Sequence, residues 1–152
     1  MRKKLSWLAV ILWMCLIFYL SHQPAAVSSE LSTGIAELIE KTVEKVVPNA
    51  DFIMENFHHQ VRKNAHFFIY LVLGLLIMNS LKLSGIGKNK GMGATLLICV
   101  LYAMTDEVHQ LFVVGRGAQL KDVFIDSTGA IVGIVIYSAI GRLTHSAVHK
   151  IR

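Results

Sequence analysis

The chain has 152 residues, enough for one domain, and 54% of them are hydrophobic against 16% charged, where an ordinary soluble domain carries about 25% charged residues. With a mean hydropathy of +0.55, the apolar surface exceeds what a core of this size can hide, which excludes a soluble globular domain and points to a polytopic membrane protein. The net charge of +5 reads as an orientation signal rather than a nucleic-acid surface, and Cys15 and Cys99, both inside apolar runs, offer no disulfide framework.

The first apolar run, LSWLAVILWMCLIFYL, covers residues 5–20. Sixteen residues of helix reach roughly 24 Å, slightly short of a ~30 Å hydrocarbon core. Trp7 and Tyr19 near its ends suit interfacial anchors. Arg2, Lys3 and Lys4 precede it as they would a signal peptide, but the run is bulky and no A-x-A site follows, so a retained span is expected. Pro24 ends the helix near His22. In LSTGIAELIEKTVEKVV, apolar residues at 31, 35, 38, 39, 43, 46 and 47 follow a helical period. This predicts an amphipathic helix over about 28–47, lying on the membrane face or over the bundle. Pro48-Asn49 breaks it, and residues 51–61 lead into the second span as a further helical turn or two. His58 and His59 are adjacent and diverge by about 100° on a helix, which suits surface residues better than joint metal ligands.

Three more runs follow: 65–83, 91–108 and 122–141. Each approaches the ~20 residues a spanning helix needs, the third only if it extends through Val108. The fold class expected is therefore all-α, an integral membrane four-helix bundle in a single domain over 1–152, with the extra amphipathic helix in the first extracytoplasmic segment. The N-terminus, the 82–90 linker and the C-terminal tail carry nine basic residues and no acid. Segments 21–64 and 106–126 carry all ten acids and six basic residues, so the split is +9 against −4. The positive-inside rule places both termini and the 82–90 linker in the cytoplasm of a multi-pass cell-membrane protein.

Polar residues gather at the outer ends of three spans. Arg62, His66 and Tyr70 follow one another at one-turn spacing, with Lys63 beside them. A histidine one turn into a membrane is expensive to face toward lipid, so His66 should face the bundle. Tyr102, Asp106 and His109 form one stripe of the third span, with Glu107 and Gln110 beside it. Asp122 and Asp126 begin the fourth span on a face that continues into Gly129 and Gly133. Such a small-residue stripe admits a close helix neighbour, so both aspartates should point inward, and the same face could join copies of the chain. Arg116 is flanked by Gly115 and Gly117, where a tight turn would hold its guanidinium toward a phosphate or carboxylate. A purely structural ion-pair network of Arg62 and Arg116 with Asp106, Asp122 and Asp126 is the alternative, but it is a costly route to stability. Asp106-x-x-His109 with His66 or Asp126 offers mixed N/O donors, yet the spacing is weak and no metal is assigned.

"LSHQP", "RKNAHFFIYLVLG" and "YAMTDEVHQLFVVGRGAQLKDVFIDSTGAIVG" together resemble the signature blocks of the VanZ-like membrane proteins. His22 stands where that pattern usually has a second serine. The resemblance implies a small bacterial integral membrane protein with a role in the cell envelope or in low-level resistance to teicoplanin, a lipoglycopeptide that binds cell-wall precursors outside the cell. Residues and resemblance together lead to an outward-facing pocket that acts on or binds an anionic lipid-linked cell-wall intermediate. Asp106, Glu107, Asp126, His66 and His109 are the candidates for acid–base work. Arg62, Lys63, Tyr70, Arg116, Asp122 and Gln23 are the candidates for substrate contact. No cofactor is identified, and no catalytic motif such as a nucleophile elbow or phosphate loop is present. A non-catalytic module binding antibiotic or a protein partner is the competing class. A small transporter fits less well, since the acids do not continue into the inner halves of the helices.

Overall fold

A computed structural model of the chain describes residues 1–24, 27, 34 and 57–150, with side chains left out at 57–63 and 142–150. Among the described residues the fold is all-helical. Helix α1 runs Arg2–Ser21, α2 Phe57–Leu83, α3 Lys88–Gln110 and α4 Leu120–Lys150. All four are long and apolar enough to cross a membrane, so this is a multi-pass membrane protein. The amphipathic helix expected over 28–47 falls, apart from position 34, outside the described residues.

The helix ends follow from local chemistry. The turn of α1 closes at His22, whose N–H donates to Phe18 O at 2.9 Å, two residues before Pro24. The C-terminus of α2 is closed by Gly85 at φ 83°, with Ile86 N–H on Leu81 O and Gly85 N–H on Lys82 O, both 3.0 Å. That paired closure needs a left-handed residue, which glycine supplies without a Cβ clash. Helix α3 extends through Gln110, giving the third span the length that residues 91–105 alone lack. Helix α4 continues past Gly141 to Lys150. No proline follows to stop it, and Arg142–Lys150 holds no strong helix breaker.

The helices alternate in direction. At one end Gln110 Nε2 donates to Ser21 Oγ at 3.0 Å, and Trp13 Nε1 lower down donates to Ile69 O at 3.0 Å. At the other end Ser6 and Ser80 hydroxyls meet at 2.6 Å, Trp7 Nε1 donates to Ser84 Oγ at 3.1 Å, and Tyr137 OH donates to Asn79 Oδ1 at 3.2 Å. In a hydrocarbon setting such hydrogen bonds pin helices together where apolar burial cannot.

The closest packing is between α2 and α4. It depends on glycine. A Cβ on Gly129 would sit 2.2 Å from Phe67 O, and one on Gly133 would sit 2.3 Å from Leu71 O. The face formed by these two glycines, considered above as a junction between copies, is thus covered by α2 of the same chain. Tyr70, Leu73, Ile77, Cys99, Ala103 and Ala130 form the core where α2, α3 and α4 meet. Helix α1 buries Val10 and Ile17 against it and turns Leu5, Leu8, Ile11, Leu12 and Leu16 outward, as a lipid-facing helix does.

Candidate functional site

The polar residues of α2, α3 and α4 converge at the end of the bundle that contains the 111–119 loop. Asp126 lies one turn above Gly129, where α4 touches α2 most closely, and its side chain faces His66. His66 Nδ1 and Asp126 Oδ1 are 3.5 Å apart. Asp126 and Tyr70 are both fully buried, and Asp106 and Glu107 nearly so. His66, Tyr70, Asp106, Glu107, Asp122 and Asp126 stand within electrostatic reach of one another. Six of the candidates named from sequence therefore share one site.

Each carboxylate has a different surrounding. Asp106 Oδ2 accepts a hydrogen bond from Gln110 Nε2 at 3.3 Å, and the same amide donates to Ser21 Oγ. Glu107 Oε2 accepts the backbone N–H of Gln119 at 2.6 Å. It thereby ties the third span to the residue just before α4. Asp122 lies in the first turn of α4, where a negative charge suits the positive end of the helix dipole. Buried oxygens remain without a hydrogen-bond partner among the described residues: Asp106 Oδ1, Glu107 Oε1, Asp122 Oδ1, both of Asp126, and the Tyr70 hydroxyl. A buried polar atom without a partner costs about 1–3 kcal/mol, more when charged, and several such atoms are concentrated here.

Other candidates lie elsewhere. His109 turns to α1: its Nε2 is 3.1 Å from His22 Nδ1 and its ring lies 4.4 Å from that of Phe18. It flanks Asp106 from the side of α1 rather than joining His66. Tyr102, on the same stripe, donates its hydroxyl to Met14 O at 2.6 Å and closes the α1–α3 contact. Among the described residues Gln23 reaches Tyr19 O, at 3.4 Å. Arg116 follows Gly115, whose φ of 76° makes the turn. Its half-buried side chain leans on the exit of α1, with Nη2 3.4 Å from Leu20 O. Arg62 and Lys63 lie on α2, but their side chains are outside the described ones. Among the described residues no three His, Cys, Asp or Glu side chains group as metal ligands.

Ser21 escapes the sequence reading, which places Gln110 beside Glu107 without assigning it to the site. Ser21 and Gln110 are buried at 4% and 2% exposure and hold Asp106 from the α1 side. Gln110 is four residues from Asp106, a one-turn spacing that could have paired them. Ser21 gives no local signal, because its role depends on how α1 meets α3.

The model of the VanZ/LLP1 family matches residues 6–141. No curated protein and no solved structure matches the chain.

Proposed function

The chain belongs to the VanZ/LLP1 family, and from that premise we propose that the buried carboxylate site is an outward-facing acid–base centre acting on an anionic lipid-linked cell-wall intermediate. In this reading the protein sits in the bacterial cell membrane with both termini and the 82–90 linker cytoplasmic. Its consequence is an envelope function or low-level teicoplanin resistance. The observation that carries it is the His66–Asp126 pair, 3.5 Å apart beside a fully buried tyrosine. His66 takes or gives the proton. Asp126 orients the imidazole and stabilises its charged form, as a carboxylate partner does for a general base. Asp106 stands ready as a second acid or base, held by Gln110. Arg116 receives the phosphate, with Arg62 and Lys63 as further candidate cations.

A second reading has its own support. Glu107 and Asp106 each use an oxygen to brace the architecture, which suits a rigid binding module for antibiotic or precursor as well as an enzyme. Shape-preserving substitutions separate the two. Asp126→Asn and His66→Gln, at matched membrane levels, should abolish teicoplanin protection or precursor conversion by at least about 10²-fold if the pair does acid–base work. Purified Asp126→Asn should still bind a labelled lipid-linked precursor. Full function in both variants would sink the acid–base reading, whereas loss of precursor binding alongside activity would favour the binding module.

A further inference from the structure

At the opposite end of the bundle, α2, α3 and α4 part around a cavity of about 370 Å³, within the size range of small-molecule pockets. Met78, Ile86 and Tyr137 give it apolar walls, and Lys82 and Lys88 line its mouth. Gly91 is buried, yet a Cβ built on it meets nothing within 4 Å, so it opens on the cavity rather than on a neighbouring side chain. Ser138 Oγ, in the same wall, is buried without a hydrogen-bond partner among the described residues.

The charge at the mouth is of one sign. Lys82 Nζ lies 5.8 Å from the centre of the Tyr137 ring, over the rim. Lys88 opens α3, whose first helical hydrogen bond is from Gly91 N–H to Gly87 O at 2.8 Å. Gly87 caps that helix without a side-chain oxygen for the preceding N–H groups. Two ammonium groups thus stand beside the positive end of a 23-residue helix. No acid lies in 82–90 or among the lining residues.

An apolar interior at hydrocarbon depth below a cationic mouth has the shape of an amphiphile with a negative head. We infer that this cavity holds an anionic glycerophospholipid from the leaflet at this end of the bundle. Its phosphate lies between Lys82 and Lys88 at the start of α3, and the head of one acyl chain lies along Met78, Ile86 and Tyr137. A free anion would use the lysines and leave the apolar wall without a partner. A zwitterionic lipid would fill the wall and gain less from the cations. The site is separate from the carboxylate centre and does not depend on its chemistry.

Native mass spectrometry of the full-length protein in mild detergent tests this. Phosphatidylglycerol should be retained at about tenfold lower concentration than phosphatidylethanolamine. Lys82→Gln and Lys88→Gln should each weaken phosphatidylglycerol by about fivefold, the effect of one interfacial lysine. Lys121→Gln, an exposed cation at the other end, should leave it unchanged. Gly91→Leu puts a Cβ where nothing lies within 4 Å and extends its side chain toward the cavity, and should remove both lipids while the bundle keeps its thermal stability. Equal retention of the two lipids would overturn the inference, as would undiminished phosphatidylglycerol on folded Gly91→Leu. Displacement of phosphatidylglycerol by inorganic phosphate at equal concentration would also overturn it, since a soluble anion would then suffice.

Discussion

Gly129→Ala tests how the bundle and its site are joined. A Cβ there would stand 2.2 Å from Phe67 O and 3.0 Å from the carbonyl carbon, backbone atoms that cannot rotate aside. Real Cβ atoms keep at least 3.0 Å from such neighbours, so α2 and α4 must part by about 0.8 Å at this point. A gap of that size forfeits roughly a quarter to a half of each dispersion contact it opens, and overpacking typically costs about 1–3 kcal/mol. Against this, alanine gains about 0.5–1 kcal/mol over glycine inside a helix. The net expectation is a loss of about 1–2 kcal/mol. Gly93→Ala is the comparator: it is exposed on α3 with nothing within 4 Å, and keeps the helical gain alone. Unfolding in mixed micelles titrated with dodecyl sulfate measures both. Trp7 and Trp13 report on it, since Trp13 donates a hydrogen bond to Ile69 of α2 and Trp7 to Ser84, just past its end. The same separation widens the His66–Asp126 contact, because His66 precedes Phe67 and Asp126 lies one turn before Gly129. Gly129→Ala should therefore lose function as well as stability. A Gly129→Ala protein as stable as the parent would refute the close-approach argument.

Three further outcomes follow from the same geometry. Arg116→Lys should impair teicoplanin protection while Lys121→Ala leaves it nearly intact, because in the proposed reading the half-buried guanidinium grips the anionic substrate through two parallel bonds, whereas Lys121 is an exposed cation; equal tolerance of the two changes would remove the support for an anionic substrate. Gln110→Leu should destabilise the bundle by about 1–3 kcal/mol, since it leaves buried Asp106 and Ser21 without their donor, and the micelle titration reads this directly. Reporter fusions at Lys88 and Gly117 should report opposite sides of the membrane, the first cytoplasmic; the same side for both would overturn the orientation.

The fold was open to sequence reasoning because a membrane span is a one-dimensional property. Run length and composition located the four helices, and the pairing of Asp122 and Asp126 with Gly129 and Gly133 on one stripe indicated that α4 meets a neighbour with its acidic face inward. What helical period cannot supply is which neighbour each polar group meets. It put Gln110 beside Glu107, whereas in the bundle Gln110 holds Asp106 and Glu107 turns to Gln119 N–H. It put His109 on the stripe of Asp106, whereas the end of α1 draws that ring to His22 and Phe18. Both differences arise where α1 docks on α3, a contact set by tertiary packing. The two lysines beside the lower cavity read in sequence only as orientation charges, since the space between α2, α3 and α4 leaves no periodic trace.

A buried carboxylate in a membrane protein is costly, and the compensation each one receives separates structural from functional roles. Glu107 is offset by the N–H of Gln119, and Asp122 by the first turn of α4, so both lean on the positive end of one helix dipole. Asp106 is offset by Gln110, which Ser21 in turn positions. Asp106 and Glu107 thereby tie the 111–119 loop and the ends of α1 and α3 together. Asp126 is different. It is the most deeply buried of the four, lies more than a turn below the helix start, and among the described residues His66 is the one group of opposite charge beside it. Nothing in the architecture needs a charge at that position: an apolar residue would fill the space beside α2 at lower cost. In the proposed reading Asp126 is the proton-exchanging partner of the His66 imidazole, on a helix held to α2 by the glycines one and two turns below. Asp106 and Glu107 brace the helix ends around the site, and the His66–Asp126 pair is where the proposed acid–base chemistry is assigned.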